Sequence, residues 1–506
     1  MRKYIIFSIY CLFFCCVGNF SFANSESVQD IKLLNDFKVK LNPYENNELA
    51  ALVEFELLEP AHIILTVKGR DGAEDVVYTD IQSKTKHSIE VLGLYPDYDN
   101  QIVLKAIYSN KVQEKKIIIP VPKIKKRGFF VITKKKDAKN RYHWLSDGSV
   151  FDEYGWLRFA FKGNGTIFYW LNNEVIGEAR NDGLYRYSPA GKLLQHYKYP
   201  KGFTSFAHGL GQKTNGNFLV IGSFADTYIL VDGEKQKTHR DFVIEIDYNT
   251  GKVLNKVDLA EILNPNRSVI IPRGNFDYGM NDWCHINGVD YDSADGGIVV
   301  SCRHSGIIKI NEKTHKLNWM ITPRKGFEVS GRQGKGPDIH NKVLMVVDKK
   351  GIPYNSNIQK GEETALPDFK WPTKTHNVRV FGKGIFGVFD NSGEVHDEKI
   401  VSTDDSYASL FKVDEQAHTV SQYWIQPLGV HSVSGSSVVY NADNKEVIVF
   451  ISQVFDKNQH SLSHADLIRY DFDTHEELFH AIIYKGGVSW LYLSDEFVFY
   501  PSNKFK

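Results

Sequence analysis

The sequence has 506 residues, more than one ordinary domain holds, so it indicates several domains or one large repetitive fold. An apolar fraction of 42% can form a buried core and argues against extensive disorder. The 61 Lys and Arg residues balance the 61 Asp and Glu residues, so the chain lacks the basic excess typical of proteins whose main partner is nucleic acid.

The chain begins with the pattern of a secretory signal peptide. Positive charge precedes an apolar run over about residues 5–17, and small residues around Ala23 provide a cleavage site. That run is short for a membrane span, and no later segment approaches the necessary length, so we expect no stable membrane insertion. We predict that residues 1–23 are removed on export. A lipid anchor at Cys15 or Cys16 is the alternative.

Two cysteines remain beyond the signal segment, Cys284 and Cys302, an even count in an oxidising compartment. They lie symmetrically about a predicted hairpin turn at residues 292–296, which would place them opposite each other on adjacent strands. We therefore predict a disulfide that braces the strand carrying His285, with two reduced thiols as the alternative.

Residues 24–122 predict a small β-sandwich domain. Polar and apolar residues alternate in short runs such as residues 52–57 and 63–67, and turn residues separate these runs. A stretch with two prolines and a basic cluster follows at residues 120–127, which is typical of a linker with a solvated surface.

Beyond residue 128 the sequence shows a long-period repeat. Each of four segments has a histidine, an apolar strand, a polar turn and a second apolar strand, and a further hairpin follows downstream. Four strands per unit are typical of a propeller blade. The four segments begin at His208, His285, His376 and His431.

Two further stretches complete the repeat. Residues 156–170 have the pattern of an earlier blade start without the histidine, and residues 486–500 that of a last partial blade. Strands from about residues 128–155 would complete that last blade and close the ring, which removes exposed sheet edges. We therefore predict an all-β fold with a six-bladed β-propeller over residues 128–506, with five blades as the nearest alternative.

The repeated histidines predict a site at the axis of the ring. The first strand of each blade lines the central channel, so residues at equivalent positions converge there. Several imidazoles around one mouth suit a small anion or a metal ion. The simpler alternative is a set of loop histidines with satisfied hydrogen bonds. The sequence has neither a His-Glu-x-x-His spacing nor a phosphate-binding loop, which disfavours a metal ion and a nucleotide-activated donor.

Several segments match a known family. They are spread over nearly the whole chain beyond the signal segment, and the match is strongest around His285. The segments are residues 41–44, 65–72, 91–98, 282–287, 290–292, 301–304 and 388–391, with His376 as a second anchor. Through them the chain resembles the bacterial arylsulfate sulfotransferases that use no nucleotide donor.

The resemblance implies a periplasmic enzyme that transfers a sulfuryl group from a phenolic sulfate ester to another phenol. The family forms a sulfated histidine in a ping-pong reaction, so the expected partners are a small-molecule aryl sulfate donor and a phenol acceptor, with no cofactor, metal or nucleic acid. A homodimer and a dependence on disulfide-forming machinery stay open. The alternatives are a non-catalytic exported propeller that binds a sulfated or phenolic ligand or a protein, and a metal-dependent hydrolase.

The catalytic residues are carried over from the resemblance residue by residue. His285 and His376 fall on histidines that hold the sulfate. His431, in the next repeat, is the expected nucleophile, and the stretch around Phe455 is an alternative location. The family's arginine follows a Phe-Asp-Asn motif, but residues 392–396 contain no arginine.

Four further residues are expected to bind substrate. Arg303 or Arg379 would supply the positive charge of the missing arginine. His208 holds the histidine position of the first repeat, and Asn377 adjoins His376.

Overall fold

Strands dominate the protein. The computed structural model describes residues 29–125, 129–136, 141–225, 227–231, 234–238, 242–263, 274–277, 280–324, 339–392, 394–396, 399–402, 405–456, 461–484 and 497–500. Among these residues the helices are one α-helix, α1 (Ser356–Lys360), and two short 3-10 helices, Leu259–Glu261 and His340–Lys342. No helix in this part of the chain is long and apolar enough to cross a membrane. The predicted signal segment 1–23 lies outside the described residues.

The N-terminal region is a folded six-stranded sheet built around one long strand. The long strand β3 changes register between Glu56 and Ala61, beside Pro60, which pairing strands tolerate only at a bulge or edge. Before this bend β3 pairs with β2, after it with β5, and on its other side with β4 throughout. The strands are β1 Gln29–Asp30, β2 Leu33–Leu41, β3 Ala51–Val67, β4 Val76–Val91, β5 Tyr98–Ile107 and β6 Val112–Val121.

Fourteen strands follow from Phe129 to Asp258. They are β7 Phe129–Lys135, β8 Tyr142–Leu145, β9 Ser149–Asp152, β10 Leu157–Ala160, β11 Ile167–Leu171, β12 Glu174–Ala179, β13 Gly183–Tyr187, β14 Leu193–Lys198, β15 Phe203–Gln212, β16 Phe218–Phe224, β17 Tyr228–Val231, β18 Glu234–Lys237, β19 Phe242–Ile246 and β20 Val253–Asp258. Most are short and have nearly continuous buried runs, as strands packed on both faces require.

The remaining strands include the segments that begin at His285, His376 and His431. They are β21 Gly274–Asp277, β22 Met280–Asp282, β23 Ile286–Asp292, β24 Gly297–Cys302, β25 Gly306–Asn311, β26 Leu317–Ile321, β27 Met345–Val346, β28 Ala365–Leu366, β29 Phe369–Lys370, β30 Thr375–Val380, β31 Ile385–Asp390, β32 Glu394–His396, β33 Lys399–Ser402, β34 Tyr407–Asp414, β35 Thr419–Pro427, β36 Ser437–Asn441, β37 Glu446–Asp456, β38 Ser461–Asp471 and β39 Glu477–Tyr484.

Six antiparallel meanders succeed one another along the described chain after the N-terminal sheet. The first is β8–β9–β10. The second is β11–β12–β13–β14, and the third β15–β16–β19–β20. The fourth is β23–β24–β25–β26. The fifth is β30–β31–β34–β35, extended by β27, and the sixth is β36–β37–β38–β39, extended by β7. The all-β fold class is therefore confirmed, and the repeating meanders agree with a six-bladed propeller.

Apolar clusters connect each sheet to the next. Ile221 of the third sheet shares a cluster with Ile308 of the fourth, and Phe389 of the fifth with Val449 of the sixth. Phe151 of the first sheet shares a cluster with Phe450 of the sixth. This cyclic contact order, in which the last sheet packs on the first, is the one expected for a closed ring.

The first strand after the N-terminal sheet joins the sixth sheet. Strand β7 pairs with β39, so residues 129–135 extend the sheet of the His431 segment, whereas the sequence pattern predicted that they complete a blade begun by residues 486–500. The rest of the stretch 128–155 forms the first sheet with β10. The predicted blade start at residues 156–170 was wrong as one unit, because β10 and β11 belong to different sheets. Most of residues 486–500 lies outside the described residues.

Candidate active site

Two of the predicted histidines lie at the same end of neighbouring strands. His285 directly precedes β23, and His376 is the second residue of β30. Their exposed fractions are 5% and 0%. His431 is 1% exposed and differs in its setting, because it lies in the segment between β35 and β36 rather than on a first strand.

Glycines let the strands that carry these histidines approach closely. A β-carbon added to Gly209 in β15 would lie 3.1 Å from the Gly288 Cα atom in β23, and one added to Gly288 would lie 2.8 Å from the Asn377 Cα atom in β30. Three successive sheets therefore bring their equivalent strands into backbone contact, as strands around a central axis must.

The disulfide and a tight turn hold the backbone around His285. Cys284 and Cys302 form the predicted disulfide, with their Cα atoms 5.1 Å apart. The Arg303 amide donates to the His285 carbonyl at 3.1 Å, and the His304 amide donates to the Cys284 carbonyl at 3.3 Å. The predicted disulfide is therefore confirmed, and it lies directly before His285.

Hydrogen bonds hold His376 and the residue before it. The Asn287 amide group donates a hydrogen bond to the carbonyl of Thr375, and Asn287 in turn accepts one from Ser301 Oγ at 2.9 Å. His376 Nδ1 lies 3.4 Å from the Lys374 carbonyl oxygen. Because a carbonyl only accepts, Nδ1 carries the proton in this contact, and the neutral ring has its lone pair on Nε2.

The segment that carries His431 contacts the stretch around Phe455, the alternative location for the nucleophile. The Phe455 amide donates to the His431 carbonyl at 2.9 Å, and Ser432 forms an isolated bridge with Val454. The two stretches that the sequence left open are therefore neighbours in space, and of the two only the first offers a described imidazole.

Several residues at this end of the sheets have left-handed backbone. His285 and Asn377 have φ angles of 55° and 52°, and the flanking residues Lys374, Ser392 and Ser436 also have positive φ. Such conformations cost energy for residues other than glycine, and they cluster where function requires a particular backbone direction.

The two candidate arginines have different surroundings. The Arg303 backbone is hydrogen-bonded to His285, and its Nε atom is buried. Arg379 lies farther along β30, where its Nε is 3.9 Å from Asp290 Oδ2. Asn377 packs its backbone against Gly288. The side chain of His208 lies outside the described residues.

One histidine was missed by the sequence analysis. The ring of His304 lies edge-on to that of His285, with ring centroids 6.0 Å apart and planes at 88°. Its position next to Arg303 in the turn after Cys302 was the available signal, because the predicted disulfide already placed this turn beside His285.

A separate cleft of about 360 Å³ lies at the opposite ends of the strands. The buried Lys309 lines this cleft. Its Nζ forms ion pairs with Asp292 at 2.8 Å, Asp295 at 2.9 Å and Glu415 at 2.6 Å. It contains none of the predicted site residues. Within the described part of the chain, no group of three or more His, Cys, Asp or Glu side chains is arranged to hold a metal ion.

Two known protein families and two relatives match most of this chain. Residues 116–489 match the arylsulfotransferase (ASST) family, and residues 38–124 match the arylsulfotransferase Ig-like domain. Arylsulfate sulfotransferase AssT of Escherichia coli O6:H1 is 23% identical over 540 positions, covering 85% of this chain and 88% of its own. AssT of Lelliottia amnigena is 24% identical over 489 positions, covering 76% of this chain and 79% of its own.

A solved structure, that of the computationally designed Ika8 protein, is 12% identical and covers 72% of this chain and 96% of its own. Its TM-score of 0.33 is too low to support an argument. The match to the family spans most of the chain, from residue 116 to residue 489. The chain therefore belongs to the arylsulfotransferase family and is an arylsulfotransferase enzyme.

Proposed function

We propose that the protein transfers a sulfuryl group from a phenolic sulfate ester to another phenol in two displacements through His431, without a nucleotide donor. The observation that carries the proposal is the set of buried imidazoles of His285, His376 and His431 at one end of three successive sheets, in a chain of this family. A covalent intermediate divides one difficult transfer into two easier steps.

In the first step a neutral ring nitrogen of His431 attacks the sulfur of the aryl sulfate. The nitrogen–sulfur bond forms, the bond between sulfur and the aryl oxygen breaks, and the phenolate departs. A phenol has a pKa near ~10, so a proton given to the leaving oxygen assists departure. In the second step the acceptor phenol attacks the same sulfur, the nitrogen–sulfur bond breaks, and the acceptor's proton goes to a base.

His376 suits the role of acid and base. Its Nδ1 proton is directed to the Lys374 carbonyl, so proton exchange with the substrate would take place at Nε2. The protonated ring gives its Nε2 proton to the departing phenolate, and the neutral ring that remains takes the proton of the acceptor phenol at the same atom. His285 would donate a hydrogen bond to a sulfuryl oxygen. Arg303, held by its backbone at His285, would add fixed positive charge where negative charge develops.

Intact-mass measurement after mixing with an aryl sulfate tests the covalent step. We expect a gain of one SO₃ group, mapped by peptide analysis to His431, and its loss when a phenol is added. His431→Ala should show no gain and no transfer, while His62→Ala, a change at an exposed histidine of the N-terminal sheet, should behave like the parent. Activity of His431→Ala near the parent level, or a strictly sequential kinetic pattern, would contradict the proposal.

The site residues His208 and Asn377 are proposed as further contacts to the substrate, and alanine variants should raise KM more than they lower kcat. Unchanged activity after treatment with a chelator would argue against the metal-dependent hydrolase. The family match favours an enzyme over the non-catalytic ligand-binding alternative.

We also propose export to the periplasm with removal of residues 1–23, followed by domains over residues 24–122 and 128–506. N-terminal sequencing of the mature protein from a periplasmic extract tests the cleavage. Light scattering tests the homodimer, and expression without disulfide-forming enzymes tests the dependence on that machinery.

A further inference from the structure

The segment that carries His431 is irregular, and most of it is buried from His431 onward. It spans residues 428–436 between β35 and β36, and its serines Ser432, Ser434 and Ser436 are all buried. Backbone groups buried outside a sheet must find hydrogen-bond partners among side chains or water. The partners of this segment therefore determine where the imidazole of His431 lies.

Two residues next to strands of the fifth sheet hold Ser432, the neighbour of His431. Asn391 Nδ2 donates to the Ser432 carbonyl at 3.0 Å and to Ser432 Oγ at 3.1 Å. Ser406 Oγ accepts from the Ser432 amide at 2.9 Å and donates to the Asn391 carbonyl at 2.7 Å. Both backbone groups of Ser432 are thus bound from the neighbouring sheet.

This clamp, formed by Asn391 and Ser406, connects two of the proposed catalytic histidines. Asn391 directly follows β31, and β31 pairs with β30, where Phe389 lies opposite His376. Asn391 is therefore fixed to the strand pair that carries His376 and at the same time binds the residue after His431.

The other end of the Asn391 amide indicates a role beyond stability. The Ser432 carbonyl can only accept, so the amide nitrogen must face it and Oδ1 points elsewhere. Within the described part of the chain Oδ1 is buried and has no hydrogen-bond partner. An unpaired buried acceptor costs about 1–3 kcal/mol, which offsets much of the stability that the two hydrogen bonds donated by the same amide contribute.

We infer that Asn391 is a positioning residue that sets the place of His431 relative to His376. The inference rests on the proposed function, in which His431 attacks sulfur while His376 handles the proton. Both groups must reach one sulfuryl group in line, and a displacement of about 1 Å can lower a rate about 10²-fold.

Single-turnover sulfation of the enzyme tests the inference. Asn391→Ala should lower the maximal rate of sulfation of His431 by about 10²-fold and leave the half-saturating concentration of an aryl sulfate within about threefold of the parent. Ser406→Ala removes the other half of the clamp and should lower the same rate by about tenfold.

Asn217→Ala is a matched control. Asn217 is also buried, donates to Glu245 at 2.7 Å and accepts from the Tyr248 amide at 3.1 Å, but it lies in the first hairpin turn of the third sheet. We expect it to lower stability about as much as Asn391→Ala and to leave the sulfation rate within about twofold of the parent.

A sulfation rate of Asn391→Ala within about twofold of the parent overturns the inference, as does an equal loss of rate in Asn217→Ala. If Asn391→Ala does not fold, Ser406→Ala decides by the same criterion. Failure of the proposed function would look different, because the parent itself would then carry no sulfate at His431. That result would overturn the inference together with the proposed function.

Discussion

Gly288 lies directly against the backbone of Asn377. A β-carbon added at Gly288 would lie 2.8 Å from the Asn377 Cα atom and 2.7 Å from the Val378 amide nitrogen, closer than such contacts occur. Gly288→Ala must therefore push β23 away from β30. This shift also moves His285 away from His376. We expect a loss of stability of about 1–3 kcal/mol and a clear fall in transfer activity, measured by guanidinium unfolding and a chromogenic aryl sulfate assay.

Gly211→Ala is the comparison for this variant. The added β-carbon would lie 3.1 Å from the Val289 carbonyl oxygen and 3.3 Å from the Leu219 Cβ atom, so the neighbours need to shift by only a few tenths of an ångström. Its activity should stay close to that of the parent. Equal effects of the two substitutions would show that strand separation at Gly288 does not control the site.

The sequence analysis succeeded where structure depends on local pattern. Alternation and turn residues predicted the strands, and the repeat predicted the successive meanders. The disulfide followed from one hairpin, because Cys284 and Cys302 flank a single turn. These features need only residues that are near each other along the chain.

The sequence analysis failed where the two residues of a contact lie far apart along the chain. The hydrogen bonds between Asn391 and Ser432 join different sheets, and nothing in the local pattern of either segment indicates them. The division of residues 156–170 between two sheets has the same origin, since alternation does not specify the sheet that a strand joins. His431 lies outside a strand, because its segment pairs with β37 only around an isolated bridge between Ser432 and Val454, and the side chains of Asn391 and Ser406 bind the Ser432 backbone there.

The Cys284–Cys302 disulfide should contribute both stability and activity. It closes a loop with a sequence separation of 18 residues, for which a contribution of about 3 kcal/mol is expected. The variant with both cysteines changed to alanine should lose about that much stability and should also lose activity, because His285 is next to the bridge. Guanidinium unfolding and steady-state kinetics measure the two effects, and full activity in the double variant would refute the bracing role.

The two candidate arginines should differ in their effects. Arg303→Gln should lower kcat/KM for an aryl sulfate about tenfold or more, since removal of one donor to a developing charge typically costs at least this much. Arg379→Gln should change it little, because Arg379 faces Asp290 farther along β30. A larger effect of Arg379→Gln than of Arg303→Gln would show that Arg379 on β30, rather than Arg303, supplies the fixed positive charge.

The pH dependence of stability should reveal the histidine pair in the last sheet. His480 Nε2 lies 3.1 Å from Asp466 Oδ1, and its Nδ1 lies 3.4 Å from Glu477 Oε1, while His464 Nε2 is 3.4 Å from Asp466 Oδ2. Burial alone would lower the pKa of His480, but the hydrogen bond and the negative charges of Asp466 and Glu477 outweigh it and raise that pKa.

A raised pKa in the folded protein means that His480 stabilises the fold fully below its ordinary value of about 6.5, and that this contribution is lost as the pH rises through the folded-state pKa. His480 lies on β39, which pairs with β7, the first strand after the N-terminal sheet. The unfolding midpoint of the parent in guanidinium should therefore fall over the range just above about pH 6.5, whereas that of His480→Gln should be flatter there. Superimposable pH profiles would show that the imidazole of His480 is not charged in the folded protein.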